Sequence, residues 1–440
     1  PTATTDSPFD DPEIYKFGED GDKNIIKTGS YIGNGSSSGP EINLGWEPQW
    51  FIIKNATSGS TNWLLFDSMR GLTDSDQSSE ANIKPNSSDA EWDNEYLSPT
   101  SRGFRLTGTS TWVNQNGNKM IYIAIRRPDG YVGKPPEVGT DVFAMDMGSG
   151  VNNVTPYYDS GFPVDLGIYR LISGTSAWWT NIRLVQGQEN KTNGTDAQSS
   201  WAGSTFDSNT GWADVGSNTY QSWMWKRHAG FDVVTWKGNA VAGRDIEHSL
   251  GKIPEMIWLK QRSGTERWIV YQKGLNGGTN PFEYELRLNA NNAESRWSNF
   301  YDTAPTALSF RVDGGAVTNG NNQEYMALLF ASVDGISKVG SYTGTNGSAS
   351  PGGDIAQTIT TGFSPRFVII KRVDSANNWL VLDTKRGWGA GNDANLFLDE
   401  NWAQSSFNFG APTSTGFGLT YDELGYYNSN GGKYIYYAHA

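Results

Sequence analysis

The chain has no cysteine, which excludes a disulfide framework, a thiolate metal site and a thiol nucleophile. It is also short of histidine, with 3 among 440 residues, and of positive charge, with 34 Lys and Arg against 47 Asp and Glu. A formal net charge of −13 opposes phosphate backbones and anionic membrane surfaces, so nucleic acid is not an expected partner. No apolar run approaches the roughly 18 residues of a spanning helix, so membrane insertion is not expected. Amphipathic helical spacing is missing too, which leaves strands as the regular structure. Asp6-Ser7-Pro8-Phe9-Asp10-Asp11-Pro12 cannot stay helical through its prolines. Residues 1–23 therefore read as an N-terminal arm or connector arriving from something upstream, in a chain that opens on Pro1 rather than Met.

What is present in excess is aromatic. Phe, Trp and Tyr make up 13% of the chain, with 18 Trp, 20 Tyr and 19 Phe, beside 52 Gly. Large rings carry the apolar burial and frequent turns separate the segments, which suits small β domains. One stretch organises the rest. Gly45-Trp46-Glu47-Pro48-Gln49-Trp50-Phe51-Ile52-Ile53-Lys54 recurs as Gly251 to Lys260 and as Gly362 to Lys371, each with a Pro six residues before a Lys. A looser copy runs from Gly161-Phe162-Pro163 to Arg170. Each copy predicts a turn, a Pro at the sheet margin and a short strand apolar on both faces, which requires cover on both sides.

Around these copies the same order of segments repeats. Trp63-Leu64-Leu65-Phe66-Asp67-Ser68-Met69-Arg70-Gly71 matches Trp379-Leu380-Val381-Leu382-Asp383-Thr384-Lys385-Arg386-Gly387, and Trp268 and Trp179 open the corresponding segments of the other copies. Closing strands are expected at Met120–Ile125, Tyr220–Trp225, Tyr325–Phe330 and Tyr434–Ala438. The expected fold is all-β, a tandem array of small antiparallel β-sandwich repeats of lectin-like or jelly-roll-like form. The boundaries are 24–127, 138–226 for the diverged second copy, 230–331 and 337–440. Short connections favour a stacked rod or a compact cluster over a flexible string.

Catalytic residues do not emerge. His228, His248 and His439 stand in unlike contexts and read as surface or capping histidines. The carboxylate pairs Asp89/Glu91, Glu283/Glu285 and Asp399/Glu400 carry no specific signal and read as solvated turn charges. Glu19-Asp20-Gly21-Asp22-Lys23-Asn24 alternates oxygen ligands as a calcium loop does, but lacks the glycine at position six and the distal bidentate glutamate. No calcium ligand and no other cofactor is assigned. Trp63, Trp179, Trp268 and Trp379 share one register before aliphatic residues and read as core anchors rather than sugar platforms. Aromatics in polar or Gly-rich surroundings are the candidate glycan or partner contacts: Trp92, Trp297, Tyr301 and Trp388. Packing of each loop onto its own repeat is the alternative.

The string Gly29-Ser30-Tyr31-Ile32-Gly33-Asn34-Gly35, the strand Pro48 to Asn55, the run Leu64 to Gly71 and the closing Ile121-Tyr122-Ile123-Ala124-Ile125 resemble a repeat of large virion structural proteins of marine tailed phages, those of cyanobacterial phages above all. The resemblance is strong in the first and fourth copies, fair in the third and weak in the second. It implies a non-enzymatic tail-fibre or surface-appendage subunit on the outside of a virion, assembling with itself or other virion proteins and contacting host surface glycans. It implies no catalytic residues. A secreted or cell-surface carbohydrate-binding protein is the alternative, and a polysaccharide depolymerase the third.

Overall fold

The computed structural model describes residues 23–74, 80–151, 154–346, 354–422 and 425–440. The expected N-terminal arm, apart from Lys23, and the calcium-like segment up to Asp22 lie outside these residues. Among the described residues the regular structure is antiparallel strand, interrupted only by short 3-10 turns.

In the first repeat the strands Ile26–Ile32, Lys119–Arg126, Pro48–Asn55 and Leu64–Asp67 lie side by side in that order. The first and last strands of the repeat are thus neighbours, and the proline-led strand sits inside the sheet. A smaller sheet of Glu41–Asn43, Gly103–Leu106 and Leu97–Thr100 faces it. Phe51, Phe66 and Phe104 meet between the two layers, with Phe51 stacked on Phe104 at 4.9 Å and on Phe66 at 5.2 Å between ring centres.

The other three repeats keep this order and extend it to six strands. The second runs Phe143–Asp146, Tyr220–Trp225, Leu166–Leu171, Trp179–Ile182, Gln188–Lys191 and Ser199–Ser200; the third starts at Phe231–Lys237 and the fourth at Ser337–Thr343. Their small sheets pair Tyr158–Asp159 with Gly211–Trp212, Arg244–Glu247 with Ser309–Val312, and Gln357–Thr360 with Gly416–Leu419. The second copy therefore belongs to the array despite its sequence. Its tryptophan register needs one correction. Trp178, not Trp179, stands where Trp268 and Trp379 stand, because Ile168 faces Thr180 as Trp258 faces Val270 and Ile369 faces Val381.

Cores and repeats do not correspond one to one. The chain forms two compact units, one reaching to Pro135 with Ser249–Gly251, the other comprising Pro136–His248 and Lys252–Ala440. The second unit holds three repeats, and one apolar cluster draws on all three: Ile168, Trp178 and Trp223 from the second, Trp258 and Trp268 from the third, Ile369, Trp379 and Tyr437 from the fourth. Its sheets consequently bury both faces. Met256–Gln261 is buried at every position and Phe367–Arg372 at all but the last. Pro48–Asn55 and Lys119–Arg126 of the first repeat instead alternate buried with less buried positions. The expected double cover holds for three of the four proline-led strands and fails for the first.

Candidate functional site

The best-organised polar chemistry in the molecule lies where the three repeats of the second unit meet. A tryptophan just before the third strand of each sheet is buried and turns its indole N–H outward from its own repeat. Trp178 donates to the Phe397 carbonyl at 2.8 Å, Trp268 to the Lys191 carbonyl at 2.7 Å, and Trp379 to the Arg287 carbonyl at 2.9 Å. Second repeat thus reaches fourth, fourth reaches third, and third reaches second, so the contacts close as a three-membered ring.

The basic residue ending each proline-led strand repeats this circuit. Lys260 donates to the Thr195 carbonyl at 3.1 Å, Lys371 to that of Asn291 at 3.2 Å, and Arg170 to those of Glu400, Asn401 and Trp402. Three backbone bonds follow it too: Gln198 N–H to Arg262 O, Glu294 N–H to Val373 O and Gln404 N–H to Ile172 O, at 2.7 to 2.9 Å. The motif lysines are therefore not surface charges. Burial pushes Lys260 down to about 8 and Lys371 down to about 7, while carbonyl oxygens replace the water these ammonium groups have lost. A small apolar cavity of about 10 Å³ lies in the shared cluster, between Ile168, Trp223, Trp258 and Ile369. That is room for one water at most, and its walls offer no polar partner.

The four aromatic candidates divide. Trp92, Trp297 and Tyr301 are each roughly half exposed. Trp92 carries the Lys84 ammonium over its ring at 3.1 Å, and Lys84 also binds Asp89 at 2.8 Å. Trp297 lies against the Arg267 guanidinium, 5.1 Å from the ring centre, and buried Glu285 holds that guanidinium with two bonds of 3.1 Å. Each indole is thus backed by a fixed cation on one side and open on the other, an arrangement that holds the ring's orientation. Tyr301 belongs to the same loop as Trp297 and leans on Gly243, where an added Cβ would come within 2.9 Å of the ring. Trp388 requires correction. It is only 4% exposed and packs edge-on to Phe417 in the fourth repeat's core. The cause is Gly387, whose φ of 100° ends the short turn Thr384–Arg386 and sends the next residue inward. The sequence reading missed Trp402, which is exposed in a loop whose backbone binds Arg170. Its polar neighbours Asn401, Gln404 and Ser405 carry the same signal that singled out Trp92.

All three histidines are buried, which corrects the surface reading. Desolvation lowers each one, His228 to about 3, so at neutral pH each is an uncharged core group. His439 stacks on Phe143 at 4.6 Å. The carboxylate pairs do not face each other as acid and base either. Asp89 binds Lys84, Glu91 binds Arg70 at 3.2 Å, Glu283 binds Arg296 at 2.8 Å, and Asp399 accepts the Trp379 backbone N–H at 2.9 Å. Among the described residues no group of three or more His, Asp or Glu side chains could hold a metal ion, and no helix is long and apolar enough to cross a membrane.

Fold and interface together define a protein of tandem antiparallel β-sandwiches in which three modules close on one core. The chain belongs to the family described as domain of unknown function DUF7483, whose profile matches residues 17–127 and 176–440. The gap between the matched stretches falls on the first strands of the diverged second repeat. No curated protein matches the chain significantly, and no solved structure does.

Proposed function

We propose that this chain is a non-enzymatic structural subunit of a virion, part of a tail fibre or surface appendage that works outside the host cell. The closed ring of three sandwich modules supports this reading most directly. It invests its buried tryptophans and cations in holding modules together, with carbonyl groups as their partners. The resemblance of Gly29–Gly35, Pro48–Asn55 and Leu64–Gly71 to repeats of marine phage virion proteins supplies the setting. Mass spectrometry of purified particles, with antibody labelling in the electron microscope, tests it. The reading requires the chain at stoichiometric copy number on an external feature, and its absence from intact particles would overturn it.

A glycan-contacting role is a second reading, favoured by the cation-backed, half-open rings of Trp92 and Trp297. Aromatic faces held in fixed orientation suit stacking on sugar rings. Glycan-array binding that falls at least tenfold in Trp297→Ala, with unchanged thermal stability, is the expected result.

A further inference from the structure

The first repeat carries the face that closes the ring in its three siblings, but in this chain that face is open. Residue pairing sets the equivalence. Ile52 faces Ile123 as Ile168 faces Trp223, Trp258 faces Leu328 and Ile369 faces Tyr437. All six of those sibling residues are buried in the common cluster. Ile123 is 41% exposed, Ile125 is 37% exposed and Ile26 on the neighbouring strand is 58% exposed, while Trp50 and Ile52 are only half-buried. A sheet face of contiguous Ile and Trp left to water marks an interaction surface.

The polar parts of the interface are present as well. Trp63 occupies the register of Trp178, Trp268 and Trp379, because Leu64 faces Ile53 as Leu380 faces Ile370. Trp63 is half-buried, and its indole N–H has no partner among the described residues. Lys54 ends its strand as Lys260 and Lys371 do, yet among the described residues its ammonium donates to Ser58 and Thr61 of its own repeat and to no other repeat. The backbone positions matching Ile172 and Gln404 are Ala56 and Glu91, both exposed. Beyond Leu64–Asp67 the bridge Leu65–Ile83 joins the sheet to the hairpin of Glu80–Asn82 and Trp92–Asn94, so the two edge strands by which each sibling meets its neighbour have counterparts in the first repeat.

The geometry points to a homotrimer. The first repeats of three chains close around a threefold axis through this face, as the second, third and fourth repeats close within one chain. The occupant is a second copy and a third, and not an unrelated protein, because the only module seen to fit this face is another module of the same family, and three of them complete a closed ring. In that assembly Trp63 donates to the Lys84 carbonyl of the next chain, the position equivalent to Lys191, Arg287 and Phe397. The proposal deepens the appendage reading but stands on the internal symmetry, so the two fail separately. A monomer in solution would end the trimer and leave detection in particles untouched.

The test uses the full chain. Sedimentation equilibrium at micromolar concentration should give three times the 48.3 kDa chain mass. The double variant I123E/I125E places two charges in each of the three interfaces and should sediment as one chain, with assembly weakened by roughly 100-fold or more. Both positions are exposed in the single chain, so its circular dichroism should match the parent's and its unfolding temperature should fall only to the value the parent shows when diluted to monomer. Ile253→Glu, an exposed isoleucine outside this face, should remain trimeric. Because the chain has no cysteine, a second measurement is clean: A56C/E91C should oxidise to a covalent trimer on a non-reducing gel and to nothing larger. A parent that sediments as a monomer or dimer, a trimer indifferent to I123E/I125E, or a disulfide ladder beyond three chains would each overturn the proposal.

Discussion

Glu189 shows how a single residue is set by its place in the fold. It is buried beside the Tyr169 hydroxyl, which donates to it at 3.0 Å, but desolvation outweighs that bond and pushes the carboxyl up to about 7. Between its ordinary range near 4.5 and about 7 the folded chain holds a proton that the unfolded chain has released, so this residue's contribution to stability falls as pH rises through that window. Glu189→Gln should therefore be more stable than the parent at pH 8, by up to about 3 kcal/mol, and indistinguishable near pH 4. Chemical denaturation at the two pH values measures the difference. Lys371 has the opposite slope. Its folded value of about 7 lies below the ordinary 10.5, so the unfolded chain binds the extra proton and the contribution of Lys371 rises with pH between those values. Lys371→Met should abolish that rise, which unfolding curves at pH 7 and pH 10 would reveal.

At the scale of an element, the turn after the third strand shows one motif in two settings. Asp67-Ser68-Met69-Arg70-Gly71 and Asp383-Thr384-Lys385-Arg386-Gly387 form the same device. The aspartate accepts the backbone N–H of the arginine three residues on and pairs with its guanidinium, at 2.7 Å and 2.6 Å. In the first repeat this pair is partly solvated, while Asp383 is fully buried and also accepts the Trp223 indole N–H of the second repeat at 3.1 Å. The local sequence builds the turn, and the neighbouring repeat decides what the turn supports. Removing the buried partner should accordingly cost more than removing the solvated one. Asp383→Asn should lower stability by about 3 kcal/mol and Asp67→Asn by less than about 1 kcal/mol, as read from thermal or denaturant unfolding. Trp388, which the same turn directs inward, should cost about 3–5 kcal/mol when truncated to alanine and leave any glycan binding by Trp297 unchanged.

The whole molecule is four modules but two compact units. Three repeats share the cluster around Trp178, Trp268 and Trp379, so none of them can unfold without exposing the inner faces of the other two. Scanning calorimetry should show two transitions, with the larger enthalpy belonging to the three-repeat unit, in place of four independent ones. Truncation before Ser337 should melt the second and third repeats together with the lost fourth, as loss of their shared near-ultraviolet tryptophan signal would record.

The sequence by itself determined the all-β class, the main strands in their chain order and the fourfold copying; it left unmarked the short edge strands such as Glu80–Asn82 and Gln188–Lys191. Alternation, turn glycines and the proline-led segment are local patterns, and a backbone with period-two apolar positions and no helical spacing has few other ways to bury them. It also marked Lys54, Lys260 and Lys371 as a recurring position and picked out Trp92, Trp297 and Tyr301, all of them exposed rings, although Trp92 opens the short strand Trp92–Asn94 and not a loop. It misjudged Trp388, the three histidines and the register of Trp178, because burial of an isolated ring or imidazole depends on what a distant segment lays over it. Only the tertiary structure decided that three repeats close on one core while the first keeps its outer face free. A run such as Phe51-Ile52-Ile53 announces that both faces are apolar; which surface covers the second face follows from how whole sheets meet, and no window of neighbouring residues contains that.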